Sequence, residues 1–348
     1  MQSKAQIYDV DFYPDLFDQI PDSIVLIILN KLSDIRSLGR CSVVSKRFNS
    51  LVPLVQDVYI KIDKVVTIDG DNDENPYCSS HKPRNFFSNL LKLFFTLVKP
   101  IHHLRNGNNI NRTLLPQVSQ HTSHTPDQVL KNFHHISNLR IELPSGDVGT
   151  EDGVLLKWKA EFGSTLQNCV IFGGTHIDKK KPIVRDQGLF DDNGSIPESF
   201  YTNGGLKLRV VWTISSLIAA STRHYLLQPI IKDHPTLKTV VLTDADGQGT
   251  LSMGWEQLKD CREKPFAASA SSRRTQVPAS NMKLRYAPYF ELPEGLGMMQ
   301  GATLVAIKPS GEGSRGSKKE VDAFEGPFKV AAKALLKRRT YLLEMNGF

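Results

Sequence analysis

Six aliphatic residues in a row, Ile24 to Leu29, lie within IPDSIVLIILNKL, residues 20–32. The Asp22 and Ser23 that open the run and the Leu32 that closes it predict a helix of about three turns. A helix on the surface of a single fold needs one apolar stripe, about 100° wide. At about 100° per residue these six side chains point in every direction. Such a helix needs apolar neighbours on more than one side. Either it is sunk in the chain's own core, or part of it belongs to another protein.

Its surroundings are helical too. Apolar residues recur at 20, 24, 28, 32, 35, 38, 41, 44, 48 and 51, in steps of three and four throughout. Pro21 and Asp22 open the first helix, and Ser33 with Asp34 caps a second that runs through Ile35 and Leu38. Ser45 starts or interrupts a third, carrying Phe48 and Leu51 before Pro53 ends it.

After Pro53 the pattern changes. Val55, Val58 and Ile60 have the L-x-x-L-x-L spacing that marks a short strand in leucine-rich repeats, and it returns at Ile136, Leu139 and Ile141, at Leu166, Cys169 and Ile171, and at Leu237, Val240 and Leu242. An irregular repeat-like α/β arrangement is the expectation. Helices are expected at 84–98, 127–135, 153–162, 206–225 and 321–343, with strands at 284–290 and 302–307. Polar, Gly- and Asn-rich segments at 68–82, 104–126, 177–204, 264–280 and 309–319 read as loops.

A chain of 348 residues, 40% hydrophobic and 23% charged, reads as globular with about two domains. Cys41, Cys78, Cys169 and Cys261 form no CxxC pair, which argues against a zinc ribbon or disulfide scaffold and for a reducing compartment. The N-terminus has no apolar h-region, and the longest membrane-like run, Phe86 to Val98, has a lysine in its middle and falls short of the roughly 20 residues of a span. The net charge of +7 permits attraction to phosphate-rich partners without establishing a nucleic-acid site.

Several local motifs point elsewhere but lack their context. Gly311, Gly313 and Gly316 in GEGSRG match the dinucleotide fingerprint, yet no acid ends a second strand about 20 residues on, so a loop is expected. The pairs Cys78/His81, His102/His103, His121/His124 and His134/His135 do not supply four closely spaced ligands, and solvated histidines are expected in place of a metal site. There is no G-x-S-x-G elbow and no recognisable protease cysteine. The basic runs Lys179–Lys181, Arg273–Arg274 and Lys337–Arg339 read as solvated faces, without the interleaved aromatics of single-strand binding.

The stretch FDQIPDSIVLIILNKLSDIRSLGRCSVVSKRFNSLV resembles an F-box, a three-helix module of about 40 residues. Ile20 and Pro21 stand for its Leu-Pro, Ile24 and Ile28 for the first helix, Leu32, Ile35 and Leu38 for the middle, and Val44, Ser45, Lys46, Arg47, Phe48 and Leu51 for the end. Ile20 for Leu, Phe48 for the usual Trp, and Gly39 within the second helix depart from the pattern. The C-terminal AAKALLKRRTYLLEMNGF is similar to the plant auxin-up-regulated F-box group.

The resemblance implies a flexible N-terminus at 1–15, an F-box at 16–54 and a leucine-rich-repeat-like substrate-recognition domain at 55–348. It implies a non-catalytic subunit of a Skp-cullin-F-box ubiquitin ligase, in the nucleus or cytoplasm. Such a chain binds a Skp-type adaptor, and through it a cullin and a RING subunit, and presents a protein substrate without cofactor, metal or membrane. Ile20, Pro21, Ile24, Ile28, Leu32 and Leu38 would touch the adaptor, while Val44, Phe48 and Leu51 would hold the module together. A basic nucleic-acid-associated protein is the alternative. A module this small buries only part of its own apolar surface. Three α-helical side chains given to a partner would contribute about 1.5–3 kcal/mol each before the costs of association.

Overall fold

In the computed structural model the described residues are 16–62, 130–145, 148, 153–178, 198–202, 204–264, 268–269, 274–311 and 322–348. The N-terminal segment makes a 3-10 turn at Leu16–Gln19 and then helices α1 (Asp22–Leu32), α2 (Ile35–Ser42) and α3 (Lys46–Leu51), closed by a second 3-10 turn at Val52–Leu54. Capping explains where two of these helices begin. Asp34 accepts from the Ser37 N–H at 2.9 Å to start α2, and Ser45 accepts from the Phe48 N–H at 3.1 Å to start α3.

The chain then enters one ten-stranded mixed sheet. Its strands are β1 (Asp57–Lys61), β2 (Asn138–Leu143), β3 (Leu155–Phe162), β4 (Leu166–Gly174), β5 (His176–Asp178), β6 (Thr239–Asp244), β7 (Gly249–Met253), β10 (Ser280–Leu292), β11 (Gly297–Pro309) and β12 (Tyr341–Met345); β8 (Ala268–Ser269) and β9 (Arg274–Thr275) pair separately. The order across the sheet is β1-β2-β6-β7-β3-β4-β11-β10-β12, with β5 on β11. Helices α4 (Glu198–Thr202), α5 (Gly205–Asp233), α6 (Trp255–Glu263) and α7 (Gly326–Leu335) complete the described elements.

Three of the four L-x-x-L-x-L segments are neighbours. β1, β2 and β6 pair in parallel and in register, so that Val58, Leu139 and Val240 form one buried row and Ile60, Ile141 and Leu242 the next. The fourth segment lies in β4, which runs antiparallel between β3 and β11. There the spacing reflects a strand buried on both faces, whose residues from Cys169 to Phe172 are an unbroken apolar run. The sheet is therefore continued by antiparallel strands and not by further repeats.

The segment 153–162, expected as a helix, is β3. Leu156, Trp158, Ala160 and Phe162 alternate into the core, a period of two that outweighs the helix-forming residues between them. The expected helix at 321–343 is α7 followed by the edge strand β12, and that at 206–225 is α5, which runs on through Pro229 to Asp233. Of 127–135 the described part is a turn that buries Leu130 and Phe133. The expected strands at 284–290 and 302–307 lie within β10 and β11. The expected helix at 84–98, the loops at 68–82 and 104–126, Cys78, His81, His102, His103, His121, His124, Lys179–Lys181, Gly313 and Gly316 lie outside the described residues.

Helix α5 covers the core face of the sheet centre. Its Arg223 and the Asp244 of β6 form an ion pair of 2.7 Å with both side chains fully buried. Asp244 also accepts from the Gly249 and Gln248 N–H groups, and Arg223 donates to the Gly249 carbonyl and stacks 4.6 Å from the Trp158 ring centre. Gly249 has to be glycine, since a Cβ there would lie 2.2 Å from the Trp158 ring. No described helix is long and apolar enough to cross a membrane. One apolar cluster runs from Val25, Leu29 and Leu38 through Val55 and Val58 into the sheet as far as Val305, and a second joins Phe172 and Leu304 to Ala331, Ala332 and Leu335 of α7.

Candidate functional site

Helix α1 divides its aliphatic run between two faces. Val25 and Leu29 are buried against α2, α3 and β1, whereas Ile24 is 45%, Ile27 55%, Ile28 46% and Leu32 39% exposed. The spacing 24, 27, 28 and 32 places the four on one side of the helix. Val43 and Val44, in the turn after α2, are still more exposed. That much unpartnered aliphatic surface on one small module marks an interaction site.

The entry into α1 is fixed by Arg47 of α3. Its Nε donates to Asp22 Oδ1 at 2.8 Å and its Nη1 to the Phe17 carbonyl at 2.7 Å, and its Nη2 donates to the Ile20 carbonyl. Phe17 packs edge-on against Phe48, with ring centres 5.9 Å apart. At the other end of α1, Asn30 Oδ1 accepts from the N–H groups of Gln56 at 2.7 Å and Asp57 at 3.2 Å. Ser33 adopts a left-handed φ of 47°, and its carbonyl accepts from the Tyr59 N–H at 2.9 Å, so the turn between α1 and α2 lies along the outer edge of β1. Burial pulls the Asp34 carboxyl upward, but hydrogen bonds from Ser37 and Arg36 outweigh it and hold the group below the ordinary carboxylate range.

The sheet offers a second surface. On the face opposite α5, strands β1, β2, β6, β7 and β3 floor a groove of about 1050 Å³. Ser33 stands at one rim, and Phe324, Glu325 and Phe328 at the start of α7 form the other wall. The floor carries Arg140, Lys157, Lys159, Thr243, Thr250 and Ser252 among its polar side chains.

An F-box-like family model matches residues 17–61. Over 96% of its length the chain is 51% identical to F-box protein At4g18380 of Arabidopsis thaliana, covering 94% of that protein. It is 37% identical to F-box protein AUF1 and 38% identical to F-box protein AUF2 of the same plant, over 96% of this chain and 100% of each of theirs. No solved structure matches.

This chain belongs to the F-box protein family. Within its F-box, the residues expected at the adaptor face separate into two groups. Pro21, Ile24, Ile28 and Leu32 are exposed and Ile20 is half-buried, but Leu38 has no exposed surface and is part of the module's own packing. α2 is only eight residues long, and it turns Leu38 and Ile35 together into the core. Of the three expected structural residues, Leu51 is buried and Phe48 half-buried, whereas Val44 is 69% exposed. The chain has already left α2 at Val44, with its N–H on the Cys41 carbonyl, and that turn directs the side chain outward. Ile27 and Val43 were not singled out from the sequence, although Ile27 follows Ile24 by one helical step of three. The groove was not legible at all, because its floor is assembled from five strands spread over about 200 residues.

A Cys-His pair in the sheet domain invites a catalytic reading that its electrostatics oppose. Cys261 Sγ lies 3.8 Å from His224 Nε2, while His224 Nδ1 is 2.7 Å from Thr275 Oγ1 and the ring stacks on Phe162. Burial pushes the His224 imidazole down to about 3 and the Cys261 thiol up, so both are neutral and no thiolate forms. Burial pushes Cys169 up to about 12 as well. No group of three or more His, Cys, Asp or Glu among the described residues could hold a metal ion.

Proposed function

We propose that this chain is the substrate-recognition subunit of a Skp-cullin-F-box ubiquitin ligase. Residues 16–54 would bind a Skp-type adaptor, and through it the cullin and RING subunits, while residues 55–348 hold a protein substrate. The chain makes and breaks no bond on this reading. It raises the effective concentration of substrate lysines near the ubiquitin-charged enzyme.

The observation that carries the reading is the exposed aliphatic face Ile24, Ile27, Ile28 and Leu32, on the first helix of a chain from the F-box family. Burying it against an adaptor would satisfy the side of the helix that the chain's own core leaves open. The test is co-purification of the full chain with a Skp-type adaptor at high salt, which suppresses phosphate-like electrostatic binding. Ile24→Asp with Ile28→Asp should weaken capture by at least about a hundredfold, since each aliphatic contact is worth about 1.5–3 kcal/mol. Val330→Asp, on the exposed side of α7, should leave capture unchanged. Equal capture of both variants would overturn the proposal.

A further inference from the structure

The groove opposite α5 carries a cluster of basic side chains. Lys157 and Lys159 lie two residues apart on β3, on the same face and half-buried. In the register of the sheet Lys159 sits beside Thr250 of β7 and Val170 of β4, and Lys157 beside Phe172 of β4, so no carboxylate flanks either lysine across the strands. Lys157 Nζ donates to the Gly247 carbonyl at 2.8 Å and lies 4.9 Å from the Phe328 ring centre. Arg140, on β2 at the far side of the floor, is exposed, lies over the Tyr59 ring and faces the Glu142 carboxylate electrostatically. None of the three forms an ion pair among the described residues.

The acids near them are differently placed. Asp57 lines the groove and accepts from Asn138 Nδ2 at 2.6 Å, Glu142 is bound to Lys61 at 2.9 Å and to the Tyr59 hydroxyl, Glu325 stands on the rim, and Glu161 follows Lys159 by two residues on the same face of β3. Between the cations run Thr243, Thr250 and Ser252, whose hydroxyls can donate to an anion. Lys157 and Lys159 are like charges two residues apart on one face of β3, and an anionic partner lying across them would relieve their mutual repulsion. The shape narrows the partner further. An open trough of about 1050 Å³ floored by five strands, with many polar side chains in its lining, has room for an extended segment.

We infer that this groove is the substrate-docking surface and takes an extended peptide segment rich in Asp and Glu, its carboxylates meeting Lys157, Lys159 and Arg140. The inference rests on the reading of the sheet domain as the substrate holder. Ser33 of the F-box lines the same groove, so a segment bound there lies directly against the adaptor-binding module, with no flexible linker between the two.

The test uses the full chain and two fluorescein-labelled heptapeptides, all-glutamate and all-glutamine, followed by fluorescence anisotropy. Expected is binding of the glutamate peptide alone, weakening as salt rises. Lys157→Gln with Lys159→Gln should lower that affinity on the order of tenfold. Lys232→Gln with Lys259→Gln, exposed on α5 and α6 away from the groove, should change it less than about twofold. No binding of the glutamate peptide, equal binding of the glutamine peptide, or equal loss in the two double variants would overturn the inference. Adaptor capture by the groove variant is measured in parallel. If the adaptor binds while the peptide result is negative, the groove assignment fails and the ligase reading stands; if the peptide binds but the unmutated chain captures no adaptor, the ligase reading fails and the assignment of the groove to a substrate falls with it.

Discussion

At Asn30 the aliphatic run of α1 ends, and the amide oxygen there accepts from two successive backbone N–H groups, those of Gln56 and Asp57. Arg47 does the corresponding work at the opposite end, collecting Asp22 and the carbonyls of Phe17 and Ile20. Polar residues thus orient a helix whose apolar residues could pack in several rotations. Buried titratable residues act differently, by fixing a protonation state. His224 is neutral in the fold, with its affinity for a proton depressed to about 3 by burial, whereas the unfolded chain takes up a proton near 6.5. Between those values the unfolded state binds more protons, so stability falls as pH falls from about 6.5 towards 3. From pH 6.5 to 5.5 the unfolding free energy, measured by urea titration, should drop by about 1 kcal/mol. His224→Gln should remove that dependence while lowering stability at pH 7. An unchanged pH slope in the variant would show that the proton is taken up elsewhere.

The elements differ in how openly their residues announce them. α1 to α3 are legible because capping residues, Pro21 and an unbroken step of three and four coincide, and β1, β2 and β6 because the same spacing recurs at each. β3 is misread when helix formers such as Lys157, Lys159 and Glu161 are weighed above the alternation of Leu156, Trp158, Ala160 and Phe162. In α5, Pro229 looks like a terminus, yet Ile230 and Ile231 beyond it are buried and hold the last turn in place by packing. Within α2 one residue remains suboptimal. Gly39 is exposed, and a Cβ there would meet nothing within 4 Å. Gly39→Ala should therefore stabilise the protein by about 0.5–1 kcal/mol, seen as a higher denaturation midpoint. A lower midpoint would mean that the open space is needed by a moving neighbour.

On the scale of the whole chain, the F-box and the sheet share structure where a boundary at residues 54 and 55 would divide them. The turn at Ser33 and Asp34 lies along the outer edge of β1, Asn30 holds the backbone that leads into that strand, and one apolar core spans both parts. Two modules joined in this way should unfold together, since melting the F-box would strip the cover from Val55, Val58 and Ile60. The distribution of tryptophan makes this measurable. Trp158, Trp212 and Trp255 are the only three in the chain and all lie beyond residue 55, so fluorescence reports on the sheet domain alone. Leu38→Ala removes a fully buried side chain from the F-box and should cost about 2–5 kcal/mol. If the chain is one cooperative unit, the midpoint of the tryptophan transition moves down with the helical circular-dichroism signal, and by the same amount. If the F-box unfolds independently, the tryptophan midpoint stays where it is while part of the helical signal is lost earlier. On the proposed ligase reading, the shared outcome would mean that an adaptor bound to α1 and a substrate bound to the sheet are held at a fixed separation, as positioning for ubiquitin transfer requires.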